Sequence, residues 1–267
     1  MGVALLWMAR AAGVAALLYL LALAALWALQ ERLLFIGWDG LTDGEVAMVP
    51  GLAEVEVPGP DGPLRGWWRP PDAGRETIVV FHGNGGFQWP KMIPWARRGH
   101  GVLLVAYRGY AGNAGAPSEA GLLDDARAAL AFAAAQGVPE TRTVLYGESL
   151  GTGVATRMAA EGDWRALVLD APYTSIPDRA AEIYGIFPVR AMIRTRFETR
   201  AVLPEVEAPV LILHGTADRV IPVAHGRALL AVAGEPKDGV WVEGGTHFLP
   251  PEVVDRAMAG FLAATAG

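Results

Sequence analysis

The chain contains three serines, Ser118, Ser149 and Ser175, and one of them stands in the frame Gly147-Glu148-Ser149-Leu150-Gly151. The apolar run Thr143 to Tyr146 precedes that frame and a helix-like segment beginning at Gly153 follows it, so the local pattern is strand, tight turn, helix. On such a turn the serine takes a strained backbone conformation, and the flanking glycines leave room where a side chain would strike the neighbouring strand or helix. The hydroxyl is lifted clear of the sheet, as nucleophilic attack demands. The competing interpretation is an ordinary glycine-rich turn between a strand and a helix.

A serine hydroxyl is a weak nucleophile near neutral pH, so it needs a general base and a group that fixes the tautomer of that base. The histidines are His82, His100, His214, His225 and His247. His247 lies in the loop Gly244-Gly245-Thr246-His247-Phe248, after the last expected strand and before the last helix, where a base would come over the serine. His225 falls inside an amphipathic helix and reads as a surface residue, whereas His214 ends an apolar strand and reads as core. Two carboxylates follow core strands, Asp170 and Asp218. The one a strand further from the nucleophile reaches the far side of the imidazole more naturally, which favours Asp218 and leaves Asp170 as the alternative acid or as a loop-shaping residue. The oxyanion of a tetrahedral intermediate needs preorganised N–H donors. The backbone of Leu150 is one candidate, and Asn84 in the loop His82-Gly83-Asn84-Gly85-Gly86 is the other.

These residues need a scaffold, and the rest of the chain supplies one. Glu54 to Val57 and Leu64 to Arg69 read as a leading hairpin; Thr77 to Phe81, Val102 to Tyr107, Thr143 to Tyr146, Ala166 to Asp170, Val210 to His214 and Val240 to Val242 read as core strands. Helices are expected near Trp89 to Arg98, Glu119 to Gln136, Gly153 to Glu161, Val223 to Ala233 and Pro251 to Ala264. This alternation predicts an α/β fold with a mostly parallel sheet covered on both faces. The rhythm breaks only at 172–208, a long connection of the kind used for lids or binding elements; its Arg190, Arg194, Arg196 and Arg200 are best read as a solvated helix face, the alternative being contact with anionic lipid headgroups or an acidic substrate.

From Ala11 to Leu29 run nineteen uncharged, mostly Ala and Leu residues, enough to span roughly 30 Å of hydrocarbon. Residues 1–36 are therefore expected to form a single transmembrane anchor with its flank, in preference to a cleaved signal peptide, and the Gly- and Asp-rich stretch 37–50 a linker to a domain over 51–267. One Arg on each side of the span leaves the terminal amine to tip the N-terminus towards the cytoplasm, with the domain extracytoplasmic. The net charge of −6, with no basic cluster interleaved with aromatics, argues against nucleic acid as a partner. Cysteine is absent and no histidine pair has zinc-binding spacing, so neither a thiolate metal site nor a zinc site is expected.

The segments His82-Gly83-Asn84-Gly85-Gly86, Tyr107-Arg108-Gly109-Tyr110, Pro117-Ser118-Glu119, Gly147 to Gly151 and His214-Gly215-Thr216-Ala217-Asp218 resemble the serine α/β-hydrolases of the Bem46 and ABHD13-like group. The likeness runs from about residue 50 to the C-terminus, and an N-terminal anchor fits it. It implies an α/β-hydrolase fold with an eight-stranded sheet, a short lid insertion, a Ser149, Asp218, His247 triad and a loop-organising role for Arg108. Asn113, and Thr246 and Phe248 around the histidine, depart from the usual pattern. The expectation is a membrane-anchored serine hydrolase that cleaves esters or thioesters of a small or lipid-like acyl substrate, with no cofactor. Its alternatives are a peptidase or amidase of the same fold, or a catalytically silent membrane-tethered binding module.

Overall fold

In the computed structural model, which describes residues 2–265, the short β-branched and leucine-rich runs form one eight-stranded sheet. The strands are β1 Ala53–Gly59, β2 Gly62–Arg69, β3 Thr77–Phe81, β4 Gly101–Val105, β5 Thr143–Glu148, β6 Ala166–Asp170, β7 Val210–Gly215 and β8 Lys237–Val242, in the order β1-β2-β4-β3-β5-β6-β7-β8. β1 and β2 form an antiparallel hairpin and β2 pairs antiparallel with β4; every other pairing is parallel. Every residue of β3 to β7 is buried, as expected of parallel strands with helices packed over both faces.

The helices are α1 Gly2–Leu34, α2 Asp43–Met48, α3 Met92–Arg97, α4 Glu119–Ala135, α5 Gly151–Ala159, α6 Ile176–Ile183, α7 Val189–Met192, α8 Thr199–Val202, α9 Val223–Val232 and α10 Pro251–Ala264. Ser118 caps α4 by accepting the Gly121 N–H at 3.1 Å, and Ser175 caps α6 by accepting the Asp178 N–H at 3.1 Å. Two of the three serines are thereby occupied as helix caps. The insertion 172–208 contains α6, α7 and α8.

Among the described residues α1 alone is long and apolar enough to cross a membrane, and none of its side chains is buried by the rest of the chain. The stretch 37–50 differs from the loose linker its composition suggests. Thr42 and Glu45 form a reciprocal capping box at the start of α2, with the Glu45 carboxylate accepting the Thr42 N–H at 2.8 Å and the Thr42 hydroxyl accepting the Glu45 N–H at 3.3 Å. Leu41 and Val49, on either side, are buried in the domain core. Two apolar residues flanking a capped turn are enough to seat the segment on the domain.

Candidate active site

The loops at the C-terminal ends of β3, β5, β7 and β8 converge, as crevices in open α/β sheets do. Ser149 sits between β5 and α5 with φ at +51°, a left-handed conformation that costs a non-glycine residue of order 1–3 kcal/mol and marks a site that the surrounding fold over-determines. Its neighbours explain the glycines. A Cβ on Gly147 would come within 2.6 Å of the Gly151 carbonyl oxygen, and a Cβ on Gly151 would overlap the Phe81 carbonyl of β3. The turn is therefore pressed against the adjacent strand, and the serine hydroxyl is left partly open to solvent.

His247 Nε2 lies 3.0 Å from Ser149 Oγ, and His247 Nδ1 lies 2.7 Å from Asp218 Oδ2. With Nδ1–H donated to the carboxylate, Nε2 is the acceptor for the serine proton. Asp218 Oδ1 accepts the N–H groups of Val220 at 2.7 Å and Ile221 at 2.9 Å. His214 Nε2, fully buried, faces both the Ile221 carbonyl at 2.8 Å and Asp218 Oδ2 at 3.4 Å. Burial works to raise the Asp218 carboxyl, but the His214 and His247 rings and the Ile221 N–H outweigh it and hold the group well below the usual carboxylate range. It stays an anion, suited to fixing the base.

Asp170, the alternative acid, points elsewhere. Its Oδ2 accepts from Lys91 Nζ at 2.6 Å and from the Tyr146 hydroxyl at 2.5 Å, while Lys91 also reaches Glu148 Oε2 at 2.5 Å. All four side chains are buried beneath the serine turn. Burial and the neighbouring Asp170 push the Glu148 carboxyl up against the pull of Lys91. The cluster joins β5, β6 and the start of α3. No motif marks Lys91 in the sequence, and its one signal there is rarity: it is one of only two lysines in a chain that otherwise uses arginine.

Leu150 directly follows the serine, and Asn84 lies in the loop after β3. Among the described residues neither the Leu150 N–H nor the Asn84 N–H donates to a protein acceptor. A Cβ on Gly83 would lie 3.4 Å from Ser149 Cβ, which puts the loop after β3 directly beside the nucleophile. The Asn84 side chain turns away, its Oδ1 accepting from the Ile36 N–H at 3.0 Å and the Tyr110 hydroxyl at 2.9 Å. At the base of that loop His82 is fully buried, with Nδ1 2.7 Å from the Gly83 carbonyl and Nε2 accepting the Tyr107 N–H at 3.2 Å.

Other residues take structural parts. Arg108 donates its backbone N–H to Asp125 Oδ2 at 2.8 Å and its guanidinium to Asp125 Oδ1 at 2.7 Å and Asp61 Oδ2 at 2.6 Å, which organises the loop after β4. Asn113 ties that loop to the sheet, accepting the Arg65 N–H at 2.8 Å and donating to the Ala106 carbonyl at 2.7 Å. His225 is buried, not on the surface: the insertion covers that side of α9, and Nδ1 meets the Thr174 hydroxyl at 2.9 Å. Phe87 and Trp95 belong to the core around Tyr146, whereas Phe248 is exposed beside the His247 ring, 5.0 Å away. Among the described residues no group of three or more His, Asp or Glu side chains is arranged to hold a metal ion.

No protein-family model matches the chain. The uncharacterized protein Rv2307c of Mycobacterium tuberculosis is 36% identical to it over 237 residues, spanning 86% of this chain and 84% of that protein. Protein bem46 of Schizosaccharomyces pombe is 32% identical over 61% of this chain and 58% of its own length. The human alpha/beta hydrolase domain-containing protein 17B is 34% identical over 55% of this chain and 50% of its own length. Among solved structures, the Pyrococcus furiosus esterase Pf2001 matches with a TM-score of 0.66 at 19% identity, covering 85% of this chain and 97% of that one. A Mycobacterium tuberculosis puromycin-hydrolyzing peptidase also reaches 0.66, at 20% identity over 81% of this chain and 39% of its own. At such identities these structures speak to the fold and not to the reaction.

Proposed function

This chain belongs to the Bem46-like α/β-hydrolases, and we propose that it is a membrane-anchored serine hydrolase that cleaves carboxylic esters or thioesters through an acyl-enzyme on Ser149. The observation that carries the proposal is the hydrogen-bonded series Ser149 Oγ, His247, Asp218, at 3.0 and 2.7 Å, mounted on a strained turn at the carboxyl edge of the sheet.

The chemistry follows from that geometry. Ser149 Oγ attacks the acyl carbonyl carbon as His247 Nε2 takes its proton, and Asp218 stabilises the imidazolium that results. The carbonyl oxygen gains the negative charge and is met by the N–H groups of Leu150 and Asn84, donors whose individual removal in such sites costs about 3–4 kcal/mol of transition-state stabilisation. The imidazolium then protonates the departing alkoxide or thiolate. Water, deprotonated by the same nitrogen, attacks the acyl-serine, and the serine leaves with the proton returned. These steps need no organic cofactor.

Two apolar features of the chain, one beside His247 and one on the face of the insertion turned to α1, favour a lipid-like acyl substrate. Phe248 is exposed beside the His247 ring, and an apolar cavity of about 210 Å³ lies between α1 and the insertion, lined by Trp27, Leu33, Leu34, Ile176, Ile183 and Met192. Anchor and insertion are joined by the Tyr19 hydroxyl on the Ile186 carbonyl at 3.0 Å, by the stacked Tyr19 and Phe187 rings and by Gln30 accepting the Arg194 N–H at 2.7 Å. In this proposal α1 anchors the chain in the bilayer with its amino terminus cytoplasmic and the catalytic domain on the other side, and the exposed apolar tip of the insertion around Ile183 and Ile186 enters the lipid beside Tyr19. The test is turnover of p-nitrophenyl esters of graded chain length beside an aminoacyl p-nitroanilide, using the full chain in detergent. Ester cleavage that disappears in Ser149→Ala is expected; cleavage of the anilide alone would assign an amidase instead.

A further inference from the structure

The last turn of α1 leads onto the loop that follows β3, beside Ser149. Beyond Leu34 the chain continues as Phe35-Ile36-Gly37-Trp38, and this strip lies on the loop that follows β3. The Ile36 N–H donates to Asn84 Oδ1 at 3.0 Å, and the Tyr110 hydroxyl donates to the same oxygen at 2.9 Å, so both acceptor positions of that amide carbonyl are filled. The Ile36 side chain covers Gly85, where a Cβ would sit 3.8 Å from Ile36 Cδ1. The Trp38 indole packs on the His82 ring at 5.2 Å and on Trp67 at 5.4 Å, and it occupies the space in front of Gly86, where a Cβ would come within 2.6 Å. The Trp38 carbonyl accepts the Ala111 N–H at 2.6 Å, and Phe35 is buried, so the strip is itself fixed to the domain. The loop 83–86 is thus clamped between the end of β3 and the exit of the membrane helix.

We propose that Ile36 and Trp38 are positioning residues for the active site: the Ile36 N–H, acting through Asn84, and the Trp38 ring, acting through His82 and Gly86, hold the loop after β3 at its working distance from Ser149. The inference rests on the reading of that loop as the source of an oxyanion donor. An N–H that is worth most when preorganised loses its effect when its loop drifts by about 1 Å, a displacement that can cost up to about a hundredfold in rate. The helix that tethers the enzyme and the loop that stabilises the transition state are consequently one mechanical unit. Substrate binding need not change, because neither residue is asked to touch the ground state more tightly than the transition state.

The experiment uses the full chain in detergent micelles and four variants: Ile36→Pro, which removes the N–H; Ile36→Ala, which keeps it; Trp38→Ala; and Tyr110→Phe. Ester turnover gives kcat and KM, and hydrogen–deuterium exchange follows the amides of residues 83–86. Ile36→Pro and Trp38→Ala are expected to lower kcat by about tenfold or more with KM within about twofold, and to speed exchange in 83–86 about tenfold while the central strands keep their protection. Ile36→Ala should retain most of the wild-type kcat, which locates the effect in the N–H. Wild-type kcat, or unchanged exchange of 83–86, in both Ile36→Pro and Trp38→Ala overturns the proposal. If Trp38→Ala fails to fold, Ile36→Pro and Tyr110→Phe decide by the same readouts. If the wild-type chain hydrolyses neither ester nor anilide, the hydrolase reading fails by itself, and the exchange data still decide whether the strip holds the loop.

Discussion

The backbone N–H of Ser149 donates to the Asp170 carbonyl at 2.9 Å, which ties the nucleophile's turn to the end of the neighbouring strand. The Asp170 side chain continues the connection downward to Lys91, so the residue supports the turn from below while Asp218 serves the histidine from above. One carboxylate is held in a buried ion-paired cluster, and the other is hydrogen-bonded to His247, the base in the proposed reaction.

That division gives a pair of substitutions with opposite outcomes. Asp218→Asn preserves an acceptor for the Val220 and Ile221 N–H groups but favours the wrong imidazole tautomer, and kcat is expected to fall by roughly 10⁴-fold with the fold intact. Asp170→Asn is expected to lower the melting temperature far more than it lowers kcat in the protein that remains folded. Steady-state kinetics alongside thermal melts of the two variants checks this, and the reverse pattern would make Asp170 the acid.

Removing Lys91 leaves two buried carboxylates facing each other without their cation. Lys91→Met is expected to destabilise the protein by about 3–5 kcal/mol, the range for breaking a buried ion pair by deleting one partner. Chemical denaturation of the variant and the wild type in the same detergent measures it. A change below about 1 kcal/mol, the value of a surface pair, would show that the cluster does not hold the sheet together.

His82 makes the fold acid-sensitive. Burial pushes its pKa down to about 4 from the ordinary value of 6.5, and the geometry agrees, because Nδ1 faces a carbonyl and Nε2 already accepts the Tyr107 N–H. Between those two pH values the unfolded chain binds a proton that the folded chain refuses. The contribution is therefore complete above about pH 6.5 and is lost as the pH falls towards 4, in total about 3 kcal/mol. Melting temperatures at pH 7.5 and 4.5 are expected to fall more steeply for the wild type than for His82→Gln. Equal slopes would assign the acid sensitivity to other groups.

Gly151 leaves no space for a methyl group, since its Cβ would overlap the Phe81 carbonyl. Gly151→Ala should therefore abolish folded protein or force the serine turn off β3, whereas Gly137→Ala, with open space around it though a strained φ of +81°, is expected to cost far less. Circular dichroism and the yield of monodisperse protein separate the two cases.

The strands and main helices were legible in the sequence because each is a run whose apolar period, length and flanking turn residues agree. The meeting of Ser149, Asp218 and His247 was legible too, since each follows a recognisable strand in the right chain order. What the sequence hid depends on neighbours far apart in the chain. Lys91 finds Asp170 because β5 and β6 lie side by side above α3, and Ile36 finds Asn84 only once the anchor has turned onto the loop. The burial of His225 is hidden for a related reason: helical periodicity marks a polar face, but nothing local records that the insertion will cover it. The segment 37–50 looked like a linker by composition, yet its capping box at Thr42 and Glu45 was present in the sequence to be seen.

The central claim is that Ser149 is activated by His247. Incubating the full chain with a fluorophosphonate probe and mapping the adduct by peptide mass spectrometry tests it most directly. A single covalent adduct on Ser149 is expected, absent in Ser149→Ala, slowed by orders of magnitude in His247→Ala and unaffected in Ser175→Ala. A folded wild-type chain that takes up no probe, or takes it up on a serine other than Ser149, would contradict the account.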